Sequence, residues 1–139
     1  MAWPDGGSNE SVSSIGSGKT HADIATWDAA TDNDNVTNTV SPTGEVYDTA
    51  DYNEAVYLNN TGGYSDSTYY RTLRVATGEG HAGKIGTGAT INNASNVQLR
   101  EDYCVFEGFI LDGGAAAKSY YALANARIMF RDLVIDNAA

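Results

Sequence analysis

The sequence predicts an all-β fold of stacked coils, a parallel β-helix (solenoid) whose onset carries a short capping α-helix. Three observations carry that prediction. Near the C-terminus Cys104-Val105-Phe106-Glu107-Gly108-Phe109-Ile110-Leu111-Asp112-Gly113 aligns without a gap on Ile128-Met129-Phe130-Arg131-Asp132-Leu133-Val134-Ile135-Asp136-Asn137, 24 residues later. A fixed period of this length marks units that cannot bury their own apolar face and must lie on a neighbour. Short alternating runs, bounded by Gly, Asn, Asp or Ser, fill the chain from Glu45 onward with no long helical pattern between them. The best helix signal precedes all of them, which disfavours a βαβ sheet.

In order along the chain, residues 1–11 are Gly/Ser/Asn-rich and read as a flexible lead-in, with residues 12–139 the helix-capped first coils. Val12 to Ile15 alternates as a short strand, and Gly16-Ser17-Gly18 turns the chain. Thr20 is the expected helix cap, with Asp23 three residues on as its capping-box acid. Ala22, Ala25, Ala29 and Ala30 favour the helix, Trp27 is its apolar anchor, and Thr31-Asp32-Asn33-Asp34-Asn35 ends it in a turn. Strands are then expected at 45–48, 54–58, 72–77, 90–91 and 97–99, followed by the two repeats.

Within the repeats, strand alternation assigns faces. Cys104 and Phe106 point inward, the Glu107-Gly108 corner resets the phase, and Phe109 and Leu111 point inward again. Ile128, Phe130, Leu133 and Ile135 occupy the matching places, so Phe106 should lie on Phe130, Leu111 on Ile135, and Glu107 beside Arg131. The outward positions Val105, Ile110, Met129 and Val134 are apolar too, so a covering element or subunit is expected there. An apolar last coil without a cap leaves open backbone edges. The expectation is that the chain continues past Ala139 or is capped by a partner.

Fifteen glycines and a low charged fraction suit turn-rich β-structure, and a net charge of −10 argues against nucleic acid and against anionic membranes as partners. Cys104 is the single cysteine, so no intrachain disulfide is possible, and it reads as a small buried hydrophobe. The N-terminal residues show no signal-peptide pattern.

Several strings tempt a functional reading. Gly16-Ser17-Gly18-Lys19-Thr20 lacks the first glycine of a phosphate loop, since that position is Ser13. Asp32-Asn33-Asp34-Asn35 alternates oxygen ligands, but Val36 falls where a calcium loop needs another. Asp112 over Asp136 is the weak candidate acid pair, with Glu107 as acid and Arg131 or Arg127 as the positive group, although both aspartates also fit turn chemistry. The tyrosines Tyr64, Tyr69, Tyr70, Tyr120 and Tyr121 could stack on sugars or pack across strands. His81 sits in a Gly-rich loop that looks exposed and lacks companion ligands. No cofactor, metal or catalytic set is expected.

Ser14-Ile15-Gly16-Ser17-Gly18-Lys19, Ile24-Ala25-Thr26-Trp27-Asp28-Ala29-Ala30-Thr31-Asp32, Glu45-Val46-Tyr47, Tyr70-Arg71-Thr72-Leu73-Arg74-Val75 and Val105-Phe106-Glu107-Gly108-Phe109 together resemble the N-terminal portion of phage and metagenomic right-handed parallel β-helix proteins. The family includes virion fibres, polysaccharide-cleaving tailspikes and pectate-lyase-like enzymes. The resemblance implies a structural virion protein, a fibre, spike or capsid-decorating element made in the host cytoplasm. Its implied partners are other virion proteins or identical subunits as a homotrimer, with cell-surface glycan as a further one. The alternatives it carries are a glycan lyase or hydrolase with its site on later coils, and a carbohydrate-binding module.

Overall fold

The computed structural model describes residues 6–49, 52–58, 64–92, 96–113, 119–122 and 127–136. Along them run β1 (Glu10–Ile15), α1 (Ile24–Thr31), α2 (Asn35–Asn38), β2 (Ser41–Val46), β3 (Val56–Leu58), β4 (Arg71–Val75), β5 (Thr90–Asn92), β6 (Asn96–Leu99), β7 (Tyr103–Glu107), β8 (Ile110–Asp112), β9 (Ser119–Ala122), β10 (Arg127–Arg131) and β11 (Val134–Asp136). The strands form three sheets, ordered β1-β2-β4-β7-β10, β5-β8-β11 and β3-β6-β9. Every pairing is parallel. Each full coil therefore visits the three sheets in turn, as β4-β5-β6 and again as β7-β8-β9. This is the onset of a right-handed parallel β-helix with a short N-terminal helix.

One register row runs through Ser13, Gly44, Leu73, Phe106 and Phe130. Successive members lie 31, 29, 33 and 24 residues apart, so only the last two coils repeat at the short period. The loops absorb the difference. Inward side chains from all three sheets, including Ile15, Val46, Leu73, Ile91, Leu99, Phe106, Phe109 and Leu111, form one core. Phe106 stacks on Phe109 at 4.5 Å between centroids and meets Phe130 edge-on at 5.9 Å. Gly108, at φ +86°, makes the corner between β7 and β8 in a conformation that suits glycine.

Helix α1 closes the first coils. Ile24 and Trp27 are buried to within about 1%, each worth roughly 2–3 kcal/mol of apolar burial. Gly44 makes room for Trp27 and for Ile15 of β1: a Cβ there would come within 2.7 Å of Ile15 Cδ1 and 2.8 Å of Trp27 Cε2. Both helix ends are satisfied by the solenoid. Glu54 accepts from the Ile24 and Ala25 amides at 3.0 Å each, and Arg71 donates to the Asp28 carbonyl at 3.1 Å. Those are the orphan groups that every helix terminus leaves open.

The expected Thr20–Asp23 capping box does not form. Asp23 is itself the N-cap, accepting from the Thr26 amide at 2.7 Å, and that pairing with Thr26 draws its pKa below the ordinary carboxylate value. Thr20 instead turns back to Ser14 Oγ. His21 bridges to Ile15 and accepts from the Gly16 amide at 2.9 Å, which holds the chain in a loop until Asp23. The 31–35 turn also hides a helix. Asp34 caps α2 by accepting from the Thr37 amide and hydroxyl at 2.8 and 2.7 Å. Strand β1 starts at Glu10, inside the expected lead-in, because Glu10 accepts from Thr43 and pairs with Arg74. Strand β9 carries Tyr120 and Tyr121 and stands outside the series of strands expected from alternation.

Candidate functional site

The outer face of the first sheet carries a row of alternating charge. Ser14, Glu45, Arg74, Glu107 and Arg131 share one register row. Arg74 pairs with Glu45 at 2.8 Å and with Glu10 at 3.1 Å, and Arg131 pairs with Glu107 at 2.7 Å. Each exposed pair is worth about 1 kcal/mol or less. Their alternation matters more, because like charges stacked at strand spacing of about 4.8 Å would repel. Beside this row lies an open groove of about 470 Å³ lined by Arg74, Thr77, Gly78, Gly80, Glu107, Arg131 and Asp132.

Asp112 does stand beside Asp136, and Asn92 continues the same row on β5. Neither aspartate lines the groove beside Glu107 and Arg131. They end strands of a different sheet from the one that carries Glu107, Arg131 and Arg127. Arg127 lies over the Tyr103 ring at 5.3 Å.

His81 is buried, not exposed as its Gly-rich surroundings suggested. Its Nδ1 accepts from the Gly83 amide at 2.8 Å, and its Nε2 lies 2.9 Å from the Asp132 carbonyl oxygen. The first contact leaves Nε2 as the protonated donor to Asp132. This bond ties the loop from Glu79 to Ala89, closed by the Ala89 amide donating to the Glu79 carbonyl at 3.1 Å, onto the turn of the last coil.

The most unusual chemistry is interior. Arg71 lies on the inward face of β4, 1% exposed, where an apolar residue would be expected. Its Nη2 contacts Asp28 on α1 and stands 2.5 Å from Oε1 of the fully buried Glu101, in the turn before β7. Nη1 donates to Thr31 Oγ1 at 3.2 Å, and the guanidinium lies 5.2 Å from the Trp27 ring centroid. Burial lowers the Arg71 pKa, but Glu101 and Asp28 outweigh it and the net direction is up. Burial pushes Glu101 up to about 7, against the pull of Arg71. Arg71 is the group that favours the ionised form of Glu101, through both its charge and its hydrogen bond. Nothing local in the sequence marks the site, because Arg71, Asp28 and Glu101 lie on separate elements that meet only in the fold.

The other sequence candidates resolve locally. In the 16–20 loop the Lys19 amide donates to Gly16, the Ser17 amide to Thr49 Oγ1, and Lys19 Nζ sits 3.8 Å over the Tyr47 ring. The Ser17 and Lys19 amides are thus taken up by groups of the chain itself, although the loop is exposed. Asp34 is occupied in capping α2 and Asn35 is buried, donating to Ser65 Oγ at 3.2 Å, so the 32–35 string does not converge on a cation. Tyr70 is buried with its hydroxyl accepting from the Gly6 amide at 2.8 Å, Tyr69 is half-buried, and Tyr64 is exposed. The side chains of Tyr120 and Tyr121 lie outside the described residues.

Cys104 is fully buried, and burial raises its thiol well above the ordinary value. Native protein is expected to react with a thiol reagent at mildly alkaline pH on the order of a thousandfold more slowly than the denatured chain, the scale of opening energies of a few kcal/mol. Reaction at the denatured rate would contradict this burial.

Of the expected core stack, Cys104, Phe106, Phe109 and Leu111 are buried, while Ile128 and Leu133 are partly covered and pack on them. Phe130 is 38% and Ile135 60% exposed. With Leu111 and Leu133 they line an apolar hollow of about 270 Å³ on the last described layer. The outward Val105 and Ile110 are already buried within this chain, and Met129 and Val134 are half-buried. Among the described residues of the two repeats, the exposed large apolar side chains therefore lie on the last described layer, at Phe130 and Ile135. Comparison with protein-family models, with curated proteins and with solved structures gives no match for this chain.

Proposed function

We propose that this β-helix is a rigid, non-enzymatic structural element of a phage-like particle, a fibre, spike or capsid-decorating piece located in the virion. Its work is mechanical: in-register coils resist bending because backbone ladders and side-chain rows run the same way along the whole stack. The observation that carries the reading is the contrast between the first and the last described layers. At one end α1 covers the core with Ile24 and Trp27. At the other, Phe130 and Ile135 stand open beside β10 and β11, which are edge strands of their sheets among the described residues. A partner that satisfies both an open strand edge and an apolar hollow is another β-coil or β-strand laid on it. The partners proposed are identical subunits, as a trimer, contacting one another through the surface that Phe130 and Ile135 expose.

Light scattering on the protein eluting from a sizing column is expected to give the mass of three chains. Ile135→Asp, which places a charge in the open hollow without touching the buried core, is expected to return a monomer. A stable lone monomer of the unaltered chain at high concentration would set this reading aside. Release of reducing sugar or unsaturated ends from an acidic polysaccharide would replace it with an enzyme.

A further inference from the structure

Arg71, Asp28 and Glu101 join three separate parts of the chain. Asp28 belongs to α1, Arg71 to β4, and Glu101 to the turn between β6 and β7. Both carboxylates converge on the same guanidinium nitrogen, Nη2. Asp28 keeps 21% of its side chain in solvent, whereas Glu101 keeps none. One cation can neutralise one carboxylate. With both acids ionised the interior would hold a net negative charge, and a buried unbalanced charge is costly. The same Arg71 holds the C-terminal end of α1 through the Asp28 carbonyl and Thr31 hydroxyl. An ionised Glu101 therefore competes with the helix for its own anchor.

We infer that Arg71, Asp28 and Glu101 form a latch that holds the capping helix on the coils in mildly acidic solution and weakens as the solution becomes alkaline. The groups facing Glu101 are Arg71 from β4, Asp28 and Asp32 from α1 and its C-terminal cap, and Cys104 from β7. The thiol stays neutral across this range, since burial raises it, and both aspartates oppose ionisation of Glu101. Only Arg71 favours it. The sign is opposite to that of a surface carboxylate. A buried acid whose folded pKa lies above its unfolded value binds its proton more tightly in the closed state. Its stabilisation is complete below about 4.5 and lost as pH rises through about 7. The α1 end of the solenoid is thus released by alkali, while the Phe106 layer, on the far side of the cluster, stays closed.

Backbone hydrogen exchange, corrected for the intrinsic pH dependence of exchange, tests this on the full chain. The opening constant for the amides of α1 is expected to rise about tenfold between roughly pH 6 and pH 9. It should exceed at every pH the opening constant for the amides of β7. In Glu101→Gln the rise should vanish. In Asp28→Asn, where Arg71 is left to Glu101 alone, its midpoint should move to lower pH. No rise in α1, or a rise that persists in Glu101→Gln, would overturn the latch. So would a rise shared at equal rate by α1 and β7, because Glu101 would then be uncovered only by global unfolding. If Glu101→Gln fails to fold, the Asp28→Asn midpoint decides: an unchanged midpoint overturns the proposal and an acid shift supports it.

Discussion

Arg71→Met is expected to cost on the order of 3–5 kcal/mol near pH 8, because it strands a buried carboxylate without its cation. The cost should be smaller in mild acid. Glu101 already stands at about 7 with Arg71 present, and removing the guanidinium deletes the one group that favours its ionised form. Near pH 5 Glu101 is protonated in both proteins, and the variant loses mainly the Asp28 pairing and the anchor of α1. Near pH 8 the variant must either bury an unpaired charge or hold a proton against the solution. Urea unfolding at the two pH values measures this directly. The double variant Arg71→Met/Glu101→Gln should recover most of the alkaline loss. Equal costs at both pH values would mean that Arg71 contributes through packing on Trp27 rather than by compensating Glu101.

Phe106→Ala is expected to destabilise the chain by about 3–5 kcal/mol, the range for deleting a buried phenylalanine together with the cavity it leaves. Phe106 is fully buried, between Leu73 on one coil and Phe130 on the next, with Phe109 stacked against its face. Its neighbours are held by sheet ladders on both sides and have little freedom to collapse. Phe130→Ala removes the same atoms one layer on, where the ring is 38% exposed, and should cost about half as much or less. Thermal or urea unfolding of the two variants side by side gives the comparison. Similar losses at both positions would show that Phe130 is covered in solution.

The readable part of this fold was the part with the shortest loops. Between Phe106 and Phe130 the coil closes in 24 residues, so equivalent side chains align in the sequence, and Glu107 beside Arg131 followed directly. The earlier coils have the same register in space, yet the long segments between β2 and β4 and between β4 and β7 break the period. The Glu45–Arg74 pair, which continues the same charged row, was therefore invisible as a row. The helix was legible from its alanines and Trp27, but its start was not. Thr20 has the right chemistry for a cap and is diverted by the pairing of His21 with Ile15. His81 was misjudged for a similar reason: glycines on either side suggest exposure, while its partner Asp132 lies two coils further along the chain.

By itself, then, the sequence determined that this chain is a stack of parallel β-coils with a helix at its start, because strand alternation and an apolar period are local properties that survive without knowledge of neighbours. It also determined the layer Cys104, Phe106, Phe109 and Leu111. Only the tertiary structure decided where the charges go. Arg71 reads like any arginine before a strand until α1 and the β6–β7 turn bring Asp28 and Glu101 to its guanidinium. Val105 and Ile110 read as a side surface awaiting a partner until the fold itself buries them and leaves Phe130 and Ile135 exposed on the last described layer. Burial and charge compensation depend on which distant segments meet, and loops of unequal length remove that information from the linear pattern.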